Sequence, residues 1–133
     1  MQIRSDLENW AKGAAWWWEN QGAEKGSALQ LARLYAYSWA DGIAPRVTSV
    51  FRDPAKQQAM REDWDAGRRT GLRARPADPE TSKHCLTGWF GKPASRATDM
   101  PSNSDPRAAQ IARWLGLGTG ENFASPDPGH YYV

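Results

Sequence analysis

The chain has 133 residues, 40% of them hydrophobic and 24% charged, and a formal net charge of +2. This length suits one domain, and the composition is that of a globular protein rather than a disordered tail. Because 17 basic residues are nearly balanced by 15 acidic ones, overall positive charge gives little support to nucleic-acid binding. We expect a single domain over residues 1–133, a monomer, with no nucleic-acid partner.

The only cysteine, Cys85, excludes an intramolecular disulfide, so the fold cannot depend on an oxidising compartment. The first ten residues carry charges where a secretory signal peptide needs an apolar run. The sequence nowhere approaches the roughly 20 apolar residues of a transmembrane helix. We expect synthesis in the cytoplasm as a soluble chain, without signal peptide or transmembrane segment.

Two helices are predicted within residues 5–42. The first runs from about Ser5 to Asn20, begins at a Ser-x-x-Glu capping box and carries apolar side chains at helical spacing. The second begins at a similar capping box at Ser27 and ends before Gly42.

The middle of the chain is predicted to form a strand, a helix and a long loop. β-Branched and aromatic residues make 46–51 typical of a strand. The pair Asp53-Pro54 is an N-cap followed by proline at the first helical position, and this third helix is expected to end at Gly67. Residues 68–83 lack an apolar period, and so long a loop in a small domain favours a functional segment.

The last third is predicted to alternate short strands with one helix. Residues 96–100 are expected to form a strand, 105–115 a fourth helix, and 122–124 and 130–133 two strands around a Pro-Asp-Pro-Gly turn. Helices followed by a small sheet predict an α+β fold, with helices packed on a small, mainly antiparallel sheet.

The two histidines lie in loop-like contexts. His84 ends the long loop, and His130 follows the Pro-Asp-Pro-Gly turn at the start of a predicted strand. Neither lies on an apolar helical face, where a structural histidine is often found. Imidazole is the commonest metal ligand, but a surface or hydrogen-bonded role is open for each.

Four motifs occur in an order that is found in one family of zinc peptidases. They are Val47-Thr-Ser-Val-Phe-Arg-Asp-Pro with a glutamine in the following helix, Thr-Ser-Lys-His84, Ala97-Thr-Asp99 and Asp127-Pro-Gly-His130. Over roughly residues 28–132 the chain resembles the zinc D-alanyl-D-alanine carboxypeptidases, a family that includes phage L-alanyl-D-glutamate endopeptidases. The resemblance divides the domain into N-terminal helices, about 5–42, and a catalytic core, about 43–133.

The resemblance implies a zinc site. His84, Asp99 and His130 match the family's first, second and third ligands. Two imidazoles and one carboxylate leave a fourth coordination position open, as in catalytic rather than structural zinc sites.

The resemblance also implies roles for four polar residues around that site. Asp127 takes the place of the family's glutamate general base. Arg52 matches an arginine that faces the substrate and stabilises the oxyanion, although a surface salt bridge with Asp53 or Glu62 is the alternative. Gln57 is expected to contact substrate, and Ser82 to contact either substrate or the residues that surround the metal ligands.

Three features depart from the family's pattern. The family places far fewer residues between its first two ligands than the 14 that separate His84 from Asp99, so we expect an inserted hairpin or loop at about 90–95 and keep Asp105 as a fallback ligand. The base is an aspartate, shorter by one methylene than glutamate. Gly129 stands where the family has a tryptophan, whose ring would form one wall of the site.

Other conspicuous residues have competing interpretations. Cys85 is a rival ligand or, more commonly for a lone cysteine, a buried thiol, and Glu121 is a second-choice base. The run Trp16-Trp17-Trp18 cannot face one core entirely, so at least one ring is expected near the surface, where it could dock on glycan or a partner. Four arginines of the long loop could attract carboxylates of the substrate or simply be solvated: Arg68, Arg69, Arg73 and Arg75.

The function implied by the resemblance is hydrolysis of a stem-peptide bond of bacterial peptidoglycan, of D-Ala-D-Ala or L-Ala-D-Glu type. A phage or prophage endolysin is expected, acting on the cell wall after release or as part of a phage particle. The alternative is a non-catalytic zinc-fold module that binds peptidoglycan or belongs to a phage virion.

Overall fold

A computed structural model describes residues 1–68, 72, 74–100, 106–123 and 126–133. Its helices are α1 (Ser5–Asn20), α2 (Lys25–Ala40), α3 (Pro54–Asp65) and α4 (Pro106–Trp114). Its strands are β1 (Ala97–Asp99), β2 (Gly118–Thr119) and β3 (His130–Tyr132). The strands form one antiparallel sheet in the order β1-β3-β2, which confirms the predicted α+β fold.

The core lies where the helical hairpin α1–α2 meets α4 and the sheet. Each helix contributes an apolar face of mostly small and aliphatic side chains, among them Leu7, Ala11, Leu31, Leu34, Ile111 and Ala112. Trp114 of α4 packs edge-on against Tyr37 of α2, with ring centroids 5.2 Å apart. Burial of this apolar surface is the main source of stability and holds the sheet against the helices.

The first helix has the predicted extent and the second begins earlier than predicted, whereas the predicted capping boxes of both are wrong. At α1 the N-cap is Arg4, with no side-chain cap, and its guanidinium pairs instead with Asp6 at 2.7 Å. At α2 the helix begins two residues before Ser27, because Glu24 is the N-cap and its carboxylate accepts a 3.1 Å hydrogen bond from Ser27 Oγ. In neither helix does the side chain of the N-cap residue accept a hydrogen bond from a backbone amide of the first turn.

The predicted strand over 46–51 is wrong, whereas the helix that follows is confirmed. The segment makes a single bridge to the sheet, between Ser49 and Asp99. Its later amides turn to other parts of the chain, so no ladder continues: Phe51 N donates to Gln21 O and Arg52 N to His84 O. At the start of α3, Asp53 Oδ1 accepts from the amide of Ala55 at 2.8 Å, as the sequence predicts.

The C-terminal sheet differs from the prediction in one strand. The strand within 96–100 is confirmed as β1. The strand expected at 122–124 is wrong at 122 and 123, and residue 124 lies outside the described residues. β2 lies earlier and the 3-10 turn Gly120–Asn122 follows it. A glycine suits β2 because the Tyr132 ring covers Gly118, where a Cβ would come within 2.1 Å of it.

The fourth predicted helix is confirmed as α4, although its predicted N-cap, Asp105, lies outside the described residues. Within the described ranges, no helix has the length and hydropathy required to cross a membrane.

Candidate metal centre

Three potential metal ligands converge where the loop after residue 82 meets the sheet. His84 Nε2 lies 3.2 Å from both Asp99 Oδ1 and His130 Nδ1, and the latter two atoms are 3.0 Å apart. The sheet register pairs Asp99 with His130, so both side chains leave the same face. In the part of the chain that the structure describes, this is the one group of three such side chains close enough to share an ion. The three predicted ligands therefore lie together and could hold a metal ion.

The long spacing between the first two ligands is accommodated by a hairpin. A bridge joins Thr87 to Pro93, and the tip is the short 3-10 turn Trp89–Gly91, whose two rings are exposed. Because the two arms of the hairpin are antiparallel, the chain returns close to His84 before β1 begins. The 14 intervening residues therefore do not keep Asp99 from His84, and the inserted hairpin agrees with the sequence prediction.

His84 is held in one orientation. Its side chain is buried, and Nδ1 donates a hydrogen bond to the backbone oxygen of Val50 at 2.8 Å. A neutral imidazole that donates from Nδ1 keeps a lone pair on Nε2, the atom that faces Asp99 and His130. The amide of His84 also donates to Ser82 Oγ at 3.3 Å, so Ser82 steadies the backbone of this ligand.

Asp99 presents its two oxygens to different partners. Oδ1 faces the histidines, and Oδ2 accepts a hydrogen bond of 3.0 Å from Arg52 Nη2. Burial alone would raise the pKa of Asp99, but the adjacent His130 and His84 side chains outweigh it and hold the pKa well below its usual range. Asp99 is therefore ionised, which is the form that binds metal.

Arg52 is part of the support around this group. Its side chain is 13% exposed and forms its ion pair with Asp99, whose side chain is 23% exposed. Among the described residues, Arg52 pairs neither with Asp53 nor with Glu62, so the surface salt bridge considered from the sequence does not occur. The guanidinium instead orients a candidate ligand from behind.

Gln57 extends this support to the long loop. Its Oε1 accepts from Arg52 Nη1 at 2.7 Å, and its Nε2 donates to the backbone oxygen of Ala77 at 2.8 Å. Arg52 Nη2 also donates to Ser49 Oγ at 3.1 Å. Gln57 is 2% exposed and links α3, Arg52 and the loop, whereas its predicted contact with substrate stays a prediction.

A cavity of about 290 Å³, here called the metal cleft, opens above the three ligands. All the residues predicted as catalytic or substrate-binding line it: Arg52, Gln57, Ser82 and Asp127. Burial raises the pKa of Asp127, and the neighbouring Asp99 carboxylate raises it further. A carboxyl group with this shift is suited to exchanging protons.

The turn that carries Asp127 and His130 packs directly against the backbone of Gly120. The amide of Asp127 donates to Gly120 O at 2.9 Å, and a Cβ on Gly120 would lie 2.3 Å from Asp127 O and 2.9 Å from His130 Cβ. Only glycine permits this close approach of two backbones. The glycine therefore places the candidate base and the third ligand together.

Sequence reasoning missed the aromatic wall of the metal cleft. The ring of Phe123 lies 5.4 Å from that of His130, tilted by 52°, and is itself 40% exposed. It stands beside the cleft that the glycine at position 129 was expected to leave open. The signal in the sequence was a single phenylalanine near a predicted turn, which does not distinguish a wall from a core residue.

The described alternatives for a ligand and for the base, Cys85 and Glu121, are not part of the ligand group. Cys85 is buried outside the ligand group, and burial raises the pKa of its thiol, which favours the buried-thiol interpretation. Glu121 pairs with Arg113, so its carboxylate has a structural partner. Asp105, the fallback ligand, lies outside the described residues.

The described arginines of the long loop pair with acidic residues of α3. Arg68 lies 2.8 Å from Asp63, and Arg75, which also lines the metal cleft, lies 2.9 Å from Asp65. Two others of the four, Arg69 and Arg73, are outside the described residues.

Two imidazole nitrogens and one carboxylate oxygen are a donor set that suits zinc, and also non-haem iron, with positions left for water or substrate. The fit is supported by the oriented His84 and the ionised Asp99, each held by a hydrogen bond from outside the group. No family model, curated protein or solved structure matches this chain.

Proposed function

We propose that this chain is a zinc-dependent peptidase that hydrolyses a stem-peptide bond of bacterial peptidoglycan. The observation that carries the proposal is the convergence of His84, Asp99 and His130 on one point at the base of a cleft that also contains Asp127. Three protein ligands beneath an accessible cleft are the composition of a catalytic zinc site, whereas a structural site is closed by four ligands.

When bound by His84, Asp99 and His130, zinc would supply a Lewis acid that acidifies a water and polarises a carbonyl group. The chain's own part is to keep the three donor atoms together before the ion arrives, through Val50 behind His84 and Arg52 behind Asp99.

Asp127 is the proposed general base. Its carboxylate takes a proton from the attacking water as the water oxygen bonds to the peptide carbonyl carbon. The same proton passes to the leaving nitrogen when the carbon–nitrogen bond breaks, so that Asp127 ends as it began. Its position in the metal cleft beside the three ligands, and its partial burial, support this assignment.

Three further residues are proposed to act on substrate from the wall of the metal cleft. Arg52 stabilises the negative carbonyl oxygen as well as orienting Asp99, an effect worth a few kcal/mol in comparable sites. Ser82 and Gln57 line the same cleft and are proposed to contact the peptide.

The substrate class rests on the resemblance to the D-alanyl-D-alanine carboxypeptidases and L-alanyl-D-glutamate endopeptidases. The bond is therefore of D-Ala-D-Ala or L-Ala-D-Glu type, and the protein is a phage or prophage endolysin that meets the wall after release or within a phage particle.

The direct test is release of new amino groups from purified peptidoglycan by the zinc-loaded full chain. Activity that disappears with a chelator and returns with zinc supports the proposal. A zinc-loaded, folded protein that releases no amino groups would refute it.

A non-catalytic binding module is the second candidate, and one contact favours it. Arg52 already uses three of its five N–H donors on Asp99, Ser49 and Gln57, so it orients Asp99 whether or not a substrate is present. A protein that sediments with peptidoglycan but releases no amino groups would be such a module.

A further inference from the structure

A second cavity, of about 690 Å³, lies on the outer face of the helical hairpin and is here called the tryptophan groove. Four of its lining residues recur at helical spacing along α1, so they form one stripe: Trp10, Gly13, Ala14 and Trp17. Trp10, Trp16 and Trp17 are 48%, 61% and 38% exposed. The groove is therefore a set of tryptophan rings open to solvent, with small residues between them.

Two of the three exposed rings of the groove, Trp10 and Trp17, are fixed by other aromatic side chains. Trp10 stacks on Tyr35 of α2 with centroids 5.6 Å apart and planes at 14°. Trp17 meets Trp18 edge-on at 5.2 Å, and Trp18 is buried at 2% exposure. Because these rings are held in place, a ligand that binds to them loses little side-chain freedom.

Gly13 forms the floor of the groove between the rings of Trp10 and Trp17. Glycine in a helix interior costs about 1 kcal/mol relative to alanine. Packing does not require it here, because a Cβ at Gly13 would meet no atom within 4 Å. The missing side chain instead deepens the groove between Trp10 and Trp17, which lie about 10 Å apart along the axis at 1.5 Å per residue.

The tryptophan groove is linked to the metal cleft by shared lining residues. A third cavity, the connecting groove, shares Trp17 with the tryptophan groove and shares Thr48, Ser49 and Arg52 with the metal cleft. An extended ligand could therefore lie on α1 and reach the metal centre without leaving the surface.

The chemistry of the tryptophan groove favours an uncharged ligand. Its lining contains no Lys, Arg, Asp or Glu among the described residues. A nucleic acid would require cations along its backbone, which this groove lacks. Flat rings with indole N–H donors suit a ligand with apolar C–H faces and hydroxyl or amide acceptors, which describes an N-acetylated sugar.

We propose that the tryptophan groove is a saccharide subsite that binds the glycan strand of peptidoglycan while a stem peptide lies in the metal cleft. The identity of this glycan rests on the proposed function, but the binding itself requires no catalysis.

The test measures binding of N-acetylglucosamine oligosaccharides, uncharged analogues of the glycan strand, to the metal-free full chain by calorimetry. Wild type should bind, and Trp16→Ala and Gly13→Gln should each weaken binding at least about tenfold. Gly13→Gln fills the groove with a better helix former, so it should fold at least as stably as wild type. The matched control is Trp89→Ala, which removes an 87% exposed ring outside all three cavities and should leave binding unchanged.

Absence of binding by wild type, or wild-type affinity in folded Gly13→Gln, would overturn the inference. So would tighter binding of single-stranded DNA than of glycan, or a dimer that Gly13→Gln dissociates, since either assigns the groove to another occupant. Failure of the two proposals is distinguishable. Glycan binding without hydrolysis leaves the saccharide subsite standing and removes the peptidase, whereas hydrolysis without glycan binding does the reverse.

Discussion

His84 donates its Nδ1–H to the backbone oxygen of Val50 at 2.8 Å, and this one bond decides which nitrogen faces the metal centre. The same carbonyl accepts a second hydrogen bond, of 2.8 Å, from Ser95 Oγ, so its position is fixed from two sides. The ligand atom Nε2 is thus oriented before any ion binds.

Replacing either histidine should remove the metal. We expect His84→Ala and His130→Ala to lower the metal content of the purified protein, because two remaining ligands hold zinc weakly. Elemental analysis by mass spectrometry measures both the amount and the identity of the metal, which separates zinc from iron.

Cys85→Ser is the matched control, since it changes a buried sulfur next to His84 and should keep the metal. Asp99→Ala should lose the ion and Asp105→Ala should retain it. The reverse result for these two aspartates would place the second ligand at 105.

Arg52→Lys should fold and bind metal but lose about 10–100-fold in turnover. Lysine keeps the positive charge, yet a single ammonium cannot reproduce the planar guanidinium that bonds Asp99, Ser49 and Gln57 together. The loss should fall on kcat more than on KM, because the proposed contact with the carbonyl oxygen strengthens in the transition state.

The control for this variant is Arg61→Lys. Arg61 is similarly covered, with its side chain 16% exposed, and pairs with Asp78 at 3.1 Å. Its substitution should leave turnover near that of wild type, and an equal loss in both variants would mean that Arg52 acts only through stability.

Asp127→Asn should retain metal and fold but lose about 10²–10⁴-fold in rate, since asparagine cannot accept the proton of the attacking water. Steady-state hydrolysis of peptidoglycan fragments measures the loss. Glu121→Gln is the control, because Glu121 pairs with Arg113 and should not take part. Wild-type rates in Asp127→Asn, combined with a slow Glu121→Gln, would exchange the two assignments.

Gly120→Ala should lower activity by displacing the turn that carries Asp127 and His130. The new methyl group would lie 2.3 Å from Asp127 O, and such overpacking typically costs about 1–3 kcal/mol of stability. The melting temperature and the turnover should both fall. Gly88→Ala is the control, since its Cβ would make only an ordinary contact of 3.8 Å with Ala94.

The features that were predicted correctly depend on local sequence patterns or on the order of motifs along the chain. The start of α3 follows from Asp53 and Pro54 alone, because an N-cap acts within one helical turn. The convergence of His84, Asp99 and His130 was inferred from the order of short motifs, and the structure does bring these side chains together.

What the sequence did not predict depends on contacts between distant segments. The segment 46–51 has the composition of a strand, but it pairs with β1 only around Thr48 and Ser49, and the amide of Phe51 turns to Gln21. The acceptor for His84 is the backbone oxygen of Val50, and a carbonyl group carries no residue-specific signal. The stacking of Phe123 beside His130 likewise depends on a turn whose path only the folded chain defines.

Mass spectrometry of muropeptides tests the central claim most directly. Peptidoglycan is digested with the zinc-loaded full chain, with the chelated protein and with Asp127→Asn, and the products are compared. We predict that one stem-peptide bond, of D-Ala-D-Ala or L-Ala-D-Glu type, is cut by the zinc-loaded wild type alone. Identical products in all three digests, or no cleavage by the folded, zinc-loaded wild type, would contradict the account.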